Sequence, residues 1–196
     1  MRTTFIAISM PFLSMSALAD NNVLRHGYID NPPSRAFLCS SMGGNLNKMC
    51  GAVQYEPQSV EGPKGFPERG PKDGQIASGG NANFSQLNEQ SNSRWHKVNV
   101  SSGKNVFSWT LTASHRTTSW QFFITKQNWD PNKPLTRNDF DLKPFCEQQD
   151  RGNVPKNNVR IECNIPKRTG YQIILGVWTI ADTANAFYQV IDANMK

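Results

Sequence analysis

The sequence predicts an all-β fold, an antiparallel β-sandwich that carries a long irregular segment. Two observations support this prediction: apolar and polar residues alternate with a period of two in the second half, and no segment shows strong helical periodicity. Several short strands separated by turn residues are typical of such sandwiches. About 170 residues follow an N-terminal leader, which is enough for one domain with its own core.

The leader, residues 1–19, has the features of a secretory signal. A positive start at Arg2 precedes an apolar run over residues 5–13, and Ala17-Leu18-Ala19 is a small-x-small cleavage pattern. The apolar run is too short to span a bilayer, and no later stretch approaches about 20 apolar residues. We therefore expect a secreted, extracellular protein without a membrane span.

The predicted domain organisation has one boundary. Residues 1–25 comprise the signal peptide and a short extension, with cleavage after Ala19 or after Arg25, and residues 26–196 form a single domain. The cleavage point decides whether the mature chain begins at Asp20 or at His26.

The first half of the domain is predicted to be irregular. Residues 55–80 contain four prolines and six glycines, and this spacing prevents long helices or strands. A structureless stretch of this length inside a compact domain is usually either functional or disordered. Tyr55, Val60 and Phe66 provide apolar anchors, so we expect the segment to be ordered.

Strands dominate the second half. Apolar and polar residues alternate over 107–113 and again over 120–124, which predicts half-buried strands. Residues 171–180 are apolar on both faces in part, as expected of a central strand. A turn over 182–185 then precedes a last strand over 187–192.

The four cysteines all follow the leader. An even number of cysteines in an exported chain favours two disulfides, for which three pairings exist. We predict the pairs closest in sequence, Cys39–Cys50 and Cys146–Cys163. A zinc site is the rival interpretation, but the chain has no CxxC motif and its histidines lie far from the cysteines in sequence.

The composition indicates which partners to expect. The formal net charge is +6, but lysine and arginine are scattered without a cluster or arm, so we expect no nucleic-acid partner. Abundant Asn, Gln, Ser and Thr suit an extracellular surface that faces a neutral polymer.

Common catalytic motifs are missing from the sequence. It contains no GxSxG, HExxH, Walker or dinucleotide-binding motif. Glu56 and Glu61 lie close together in the sequence, and a glycoside hydrolase uses a pair of acids, but nothing positions a second acid opposite them.

The three histidines suggest a metal site instead. His115 lies just past the end of the 107–113 strand, where a rigid sandwich presents site residues. His26 follows the leader closely, and if it begins the mature chain its α-amine and imidazole can chelate one ion together. With the His115 imidazole this makes three nitrogen ligands, a set that suits copper. We expect His96 to be a surface residue.

Several motifs in order carry a resemblance to a known family. They are His26-Gly27-Tyr28, the run from Cys50 to Gly62 (CGAVQYEPQSVEG), Thr112-Ala113-Ser114-His115, Trp129-Asp130, Phe140-Asp141-Leu142, and residues 181–188 (ADTANAFY). With these motifs the chain resembles the bacterial chitin-active lytic polysaccharide monooxygenases, also called chitin-binding proteins of the auxiliary-activity type. The resemblance runs from His26 to the C-terminus.

The resemblance implies a fold and a metal site. The fold is an immunoglobulin/fibronectin-III-like antiparallel β-sandwich with a long irregular, partly helical insertion. One copper ion per chain is held in a histidine brace by His26 and His115. Phe187 and Ala113 occupy the two axial sides, Glu61 orients the oxygen co-substrate, and Trp178 packs behind the site.

The resemblance also implies an activity and its partners. The enzyme oxidises crystalline chitin at C1, using an external electron donor and hydrogen peroxide or dioxygen, and we expect it to be a monomer. The residues implied to contact chitin are Tyr55, Glu56, Pro57, Asp182 and Asn185.

One departure from the family leaves an alternative function. In the family the histidine of His-Gly-Tyr directly follows the cleaved signal, whereas six residues separate Ala19 from His26 here. Cleavage after Ala19 leaves no brace amine, and the protein is then a non-catalytic chitin-binding module or adhesin. Activity on cellulose is a third interpretation within the wider fold.

Overall fold

The computed structural model describes residues 26–196, so the predicted signal peptide and extension over residues 1–25 lie outside the described residues. Within residues 26–196, nine strands form two sheets. The strands are β1 (Gly27–Asn31), β2 (Glu61–Pro63), β3 (Val98–Val100), β4 (Gly103–Leu111), β5 (Thr117–Ile124), β6 (Cys146–Asn153), β7 (Asn158–Ile165), β8 (Gly170–Ile180) and β9 (Asn185–Met195).

The two sheets pack as a sandwich. The smaller sheet has the order β1-β4-β7, and the larger has the order β2-β9-β8-β5-β6, with β3 added to β9. All strand pairs are antiparallel except β3 with β9, which is parallel. The core between the sheets contains Trp109 from the smaller sheet and Trp120 and Trp178 from the larger one. The predicted all-β sandwich is therefore confirmed.

The segment between β1 and β3 is irregular and partly helical, as predicted. It contains α1 (Arg35–Cys39) and short 3-10 helices at Gly51–Gln54, Pro57–Ser59 and Ala82–Asn88, and another 3-10 turn lies at Arg137–Asp139. Among the described residues, no helix is long and apolar enough to cross a membrane.

Strand β8 is the central strand that its sequence predicts. Ile174, Trp178 and Ile180 face the core between the sheets. Ile173, Leu175 and Val177 instead pack beneath the irregular segment, in a second core. Because β8 is covered on both faces, its sequence is apolar at nearly every position.

Some predicted boundaries are wrong by a few residues. Strand β4 ends at Leu111 rather than at residue 113, because the N–H groups of Thr112 and Ala113 both donate to the His26 carbonyl oxygen instead of continuing the ladder. The last strand begins at Asn185, so the turn before it covers residues 181–184, and it extends to Met195.

Both predicted disulfides are present. Cys39–Cys50 joins the end of α1 to the residue before the Gly51–Gln54 helix. Cys146–Cys163 joins β6 to β7, and so connects the two sheets covalently.

Candidate active site

Backbone hydrogen bonds bring His26 beside the connection that carries His115. His26 lies directly before β1, and its carbonyl oxygen accepts from Thr112 N at 2.8 Å and from Ala113 N at 3.3 Å. His115 lies in the same connection, between β4 and β5, and is 6% exposed. Ala113 is half-buried, two residues before His115.

Both imidazoles contact one buried phenylalanine. The Phe187 ring centroid is 6.0 Å from that of His26, nearly perpendicular to it, and 6.0 Å from that of His115. Phe187 has no exposed surface and stacks on Trp178 at 4.8 Å. The floor between the two histidines is therefore apolar and supplies no ligand atom.

Thr117 connects His115 to this floor. Its hydroxyl donates to the His115 carbonyl oxygen at 3.1 Å and accepts from the Trp178 indole N–H at 2.8 Å. The side chain is fully buried. No sequence pattern indicated this role of Thr117, because a threonine at the start of a strand carries no signal of such a contact.

Glu61 lies in the short strand β2, directly opposite Phe187 of β9. Residues directly opposite each other in an antiparallel pair point their side chains to the same face, so the Glu61 carboxylate lies on the same face as the Phe187 ring. The Asn185 amide donates to Glu61 Oε1 at 3.0 Å. This hydrogen bond fixes the carboxylate on the face that Phe187 shares with the histidines.

The electrostatic environment of His26 contains opposing effects. Burial lowers the pKa of the His26 imidazole, and the positive form of His115 adds to the lowering. The carboxylates of Glu61 and Glu56 raise that pKa, but burial is the larger effect. The imidazole is therefore mainly neutral at neutral pH, which is the form that binds metals.

Asp182 lies beside the other imidazole. Its Oδ1 is 3.6 Å from His115 Nδ1, and its side chain is 34% exposed. The contact is electrostatic, because this distance is longer than that of a hydrogen bond.

The residues predicted to contact a polymer differ in exposure. Tyr55 is 83% exposed, Glu56 and Asp182 are exposed, and Asn185 is partly exposed. Pro57 is buried, so its predicted position on the exposed surface is wrong.

Pro57 is buried because it begins a 3-10 helix that packs inward, onto Gln189 of β9. The Gln189 amide donates to the Pro57 carbonyl oxygen at 3.0 Å and accepts from the Ser34 hydroxyl at 2.6 Å. Both polar side chains are fully buried. Pro57 therefore supports the segment that presents Tyr55 and Glu56.

His96 takes no part in these contacts. It is exposed, as predicted, and its backbone N–H donates to Asn47 Oδ1 at 2.8 Å. Among the residues that the structure describes, no group of three or more His, Cys, Asp and Glu side chains is arranged to hold a metal ion.

The sequence matches a family model across nearly all of the described residues. The match covers residues 26–193, and the family is described as "Lytic polysaccharide mono-oxygenase, cellulose-degrading". The chain belongs to this family. The resemblance seen in the sequence motifs is thereby confirmed for a lytic polysaccharide monooxygenase (LPMO).

Curated relatives of this LPMO family member are longer proteins. GlcNAc-binding protein A of Yersinia enterocolitica is 47% identical over 194 residues, which cover 98% of this chain and 38% of the relative. The protein of the same name from Aliivibrio fischeri is 50% identical over 200 residues, covering 96% of this chain and 39% of the relative. The chain thus spans about two fifths of the length of these relatives.

Solved LPMO structures share the fold. An LPMO from Photorhabdus luminescens is 52% identical, with a TM-score of 0.86 over 87% of this chain and 99% of that one. The catalytic domain of an LPMO from Listeria monocytogenes is 56% identical, with a TM-score of 0.82 over 87% and 99%. A Bacillus amyloliquefaciens protein solved in complex with Cu(I) is 43% identical, with a TM-score of 0.79 over 87% and 100%.

Proposed function

We propose that this chain is a secreted, copper-dependent LPMO that binds crystalline chitin and oxidises its glycosidic bonds at C1. The observation that carries the proposal is the pair of imidazoles, His26 and His115, that contact the same buried Phe187 ring. Secretion is supported by the signal-like pattern of residues 1–19.

The nitrogen donors fit copper in one form of the chain. His26 would supply its imidazole and its α-amine, and His115 a second imidazole, which makes a three-nitrogen set that Cu(II) accepts. The α-amine exists only if His26 begins the chain, since in a longer chain the same nitrogen is an amide. Bound copper would supply one-electron redox chemistry with an external electron donor.

Residues around the histidines would orient and shield the reacting groups. Phe187 offers no donor atom and excludes water from the floor of the site. Glu61, held by Asn185, would hold or return a proton of the oxygen co-substrate. Asp182 would keep the His115 ring oriented through Nδ1.

The proposed reaction inserts one oxygen atom into the C1–H bond of a sugar ring. With hydrogen peroxide, R–H and H2O2 give R–OH and H2O; with dioxygen, two electrons from the donor and two protons complete the balance. The hydroxylated C1 then expels the oxygen of the neighbouring sugar as a hydroxyl group. The resulting lactone adds water and becomes an aldonic acid.

Chitin is the proposed substrate because of the exposed side chains and the relatives' names. Tyr55 presents an aromatic ring to the apolar face of a sugar ring, and Glu56, Asp182 and Asn185 offer hydrogen-bonding groups beside it. The curated relatives are named GlcNAc-binding proteins, and chitin is a polymer of this sugar. The family description names cellulose, which is therefore the competing substrate.

The deciding experiment compares two forms of the same chain, one beginning at His26 and one at Asp20. Cu(II) binding is measured by calorimetry, and oxidised oligosaccharides released from chitin and cellulose are measured by mass spectrometry with a reductant and hydrogen peroxide. We expect both forms to bind chitin, and only the His26 form to bind copper tightly and release aldonic acids from chitin. The intact mass of the exported protein identifies the natural form.

Three outcomes would contradict the proposal. Equal oxidation by both forms would exclude the amine ligand. Products from cellulose alone would change the substrate. Chitin binding without oxidation by either form would support the alternative function, a binding module, which the six residues between Ala19 and His26 make a specific candidate.

A further inference from the structure

The turn between β8 and β9, residues 181–184, has a direct influence on the candidate site. It carries Asp182, whose carboxylate faces His115, and it leads into Asn185, whose amide holds Glu61. Most of the turn is exposed, so packing alone does little to hold it. Its conformation must therefore depend on specific hydrogen bonds.

Lys64 supplies three such bonds. Its ammonium group donates to the carbonyl oxygens of Ile180, at 3.2 Å, and of Thr183. Its backbone N–H donates to the Ala184 carbonyl oxygen at 3.0 Å. One residue thus contacts the last residue of β8 and two residues of the turn.

An ammonium group is well suited to this task. It has three N–H donors on one nitrogen, so it can bind two carbonyl oxygens that point in different directions. Hydrogen bonds from a charged donor are also stronger than those between neutral groups. Lys64 is half-buried and follows β2 directly, so its backbone is anchored by the same strand that carries Glu61.

We infer that Lys64 is a positioning residue, which fastens the β8–β9 turn so that Asp182 stays beside His115 and Asn185 stays on Glu61. This inference rests on the proposed function, since it assigns the turn to the chitin-binding surface. Its hydrogen bonds go to Ile180, Thr183 and Ala184, so we assign it an action through the turn rather than a direct part in the reaction.

The test uses the variants Lys64→Met and Lys64→Arg, with Lys126→Met as the matched control. Lys126 also donates to a backbone carbonyl, that of Asn138 at 2.8 Å, but lies in the connection after β5. Chitin binding is measured on the metal-free proteins, together with amide hydrogen exchange over residues 181–185 and thermal unfolding.

We expect Lys64→Met to weaken chitin binding roughly tenfold, the scale of one hydrogen bond to a charged group. Exchange in the turn should accelerate in the same variant. Lys64→Arg should restore much of both properties, because a guanidinium can also donate to two carbonyls. Lys126→Met should match the unaltered protein in both.

Other results would overturn the inference. Unchanged turn exchange in Lys64→Met would show that the ammonium does not fasten the turn. If Lys64→Met showed faster exchange in the turn but unchanged chitin affinity, the conformation of the turn would not affect chitin binding. An equal loss of chitin affinity in Lys126→Met would show that the effect is not specific to the turn. If the unaltered chain itself bound no chitin, the proposed function would fail, while exchange in the turn would still decide whether Lys64 holds it.

Discussion

His115 and Tyr55 represent two kinds of residue at the candidate site. His115 is buried against Trp178 and Phe187, and its backbone is tied to Thr117, so its imidazole has a defined position. Tyr55 is almost fully exposed and ends a short 3-10 helix. At the scale of the residue, the proposed metal binding and the proposed chitin binding therefore depend on different side chains.

Substitution of each residue should remove one property and leave the other. In the form that begins at His26, we expect His115→Ala to weaken Cu(II) binding by more than about 100-fold. Loss of a residue that only hydrogen-bonds a metal ligand typically costs roughly 10–100-fold in metal affinity, and His115 is proposed to be a ligand itself. Tyr55→Ala should leave copper affinity unchanged, weaken chitin binding, and change the free energy of unfolding by less than about 0.5 kcal/mol.

Calorimetry, chitin pull-down and circular dichroism on both variants check these expectations. Each variant is the control for the other. Full copper affinity in His115→Ala would refute the histidine pair, and loss of copper binding in Tyr55→Ala would show that the two properties are not separate.

Close approach of the two sheets depends on one position in β8. A Cβ atom at Gly176 would lie 2.5 Å from Ile29 Cδ1 and 3.2 Å from both Phe122 Cε1 and Trp109 Cζ2. Ile29 and Trp109 belong to the opposite sheet, and Phe122 belongs to the adjacent strand β5. At the scale of the element, β8 therefore needs a glycine at position 176, where Ile29 of β1 packs against it.

Gly176→Ala should overpack this crossing and lower the free energy of unfolding by about 1–3 kcal/mol. Ile29→Val removes the Cδ1 atom that the new methyl would meet, so the double variant should lose less stability than the sum of the two single variants. Urea unfolding of all four proteins measures this coupling. If the losses in the free energy of unfolding were purely additive, Ile29 would not be the residue that restricts the space for a side chain at position 176.

Two cores and two disulfides organise the described part of the molecule. One core lies between the sheets, and the other lies between the larger sheet and the irregular segment. In the second region, the Arg35 guanidinium forms a buried bidentate ion pair with Asp192 at 2.6 and 2.9 Å. At the scale of the whole molecule, Cys146–Cys163 stabilises the sandwich and Cys39–Cys50 stabilises the segment before Tyr55.

Removal of each disulfide should therefore have a different consequence. The double variant Cys146→Ser/Cys163→Ser should lose about 3 kcal/mol of stability, as expected for a closed loop of this size, and keep its chitin affinity. Cys39→Ser/Cys50→Ser should weaken chitin binding as well, because Tyr55 follows Cys50 closely. Urea unfolding and chitin binding at low temperature distinguish the two, and identical effects on binding would contradict this division.

Much of the fold could be predicted because it depends on local patterns. Period-2 alternation identified β5 and most of β4, and apolar residues on both faces identified β8 as central. The early end of β4 could not be predicted, since it results from the distant His26 carbonyl, and neither could the burial of Pro57, which results from Gln189. Both errors arise from hydrogen bonds between residues far apart in sequence.

The sequence by itself determined the all-β class and the family, because these depend on periodicity and motif order. It predicted the two disulfide pairs, but the structure decided among the three possible pairings. The tertiary structure alone decided that His26 and His115 contact one Phe187 ring, that the Asn185 amide donates to Glu61, and that the Lys64 ammonium donates to carbonyl oxygens of Ile180 and Thr183. Strand pairing brings residues more than a hundred positions apart into contact, and no local pattern encodes that pairing.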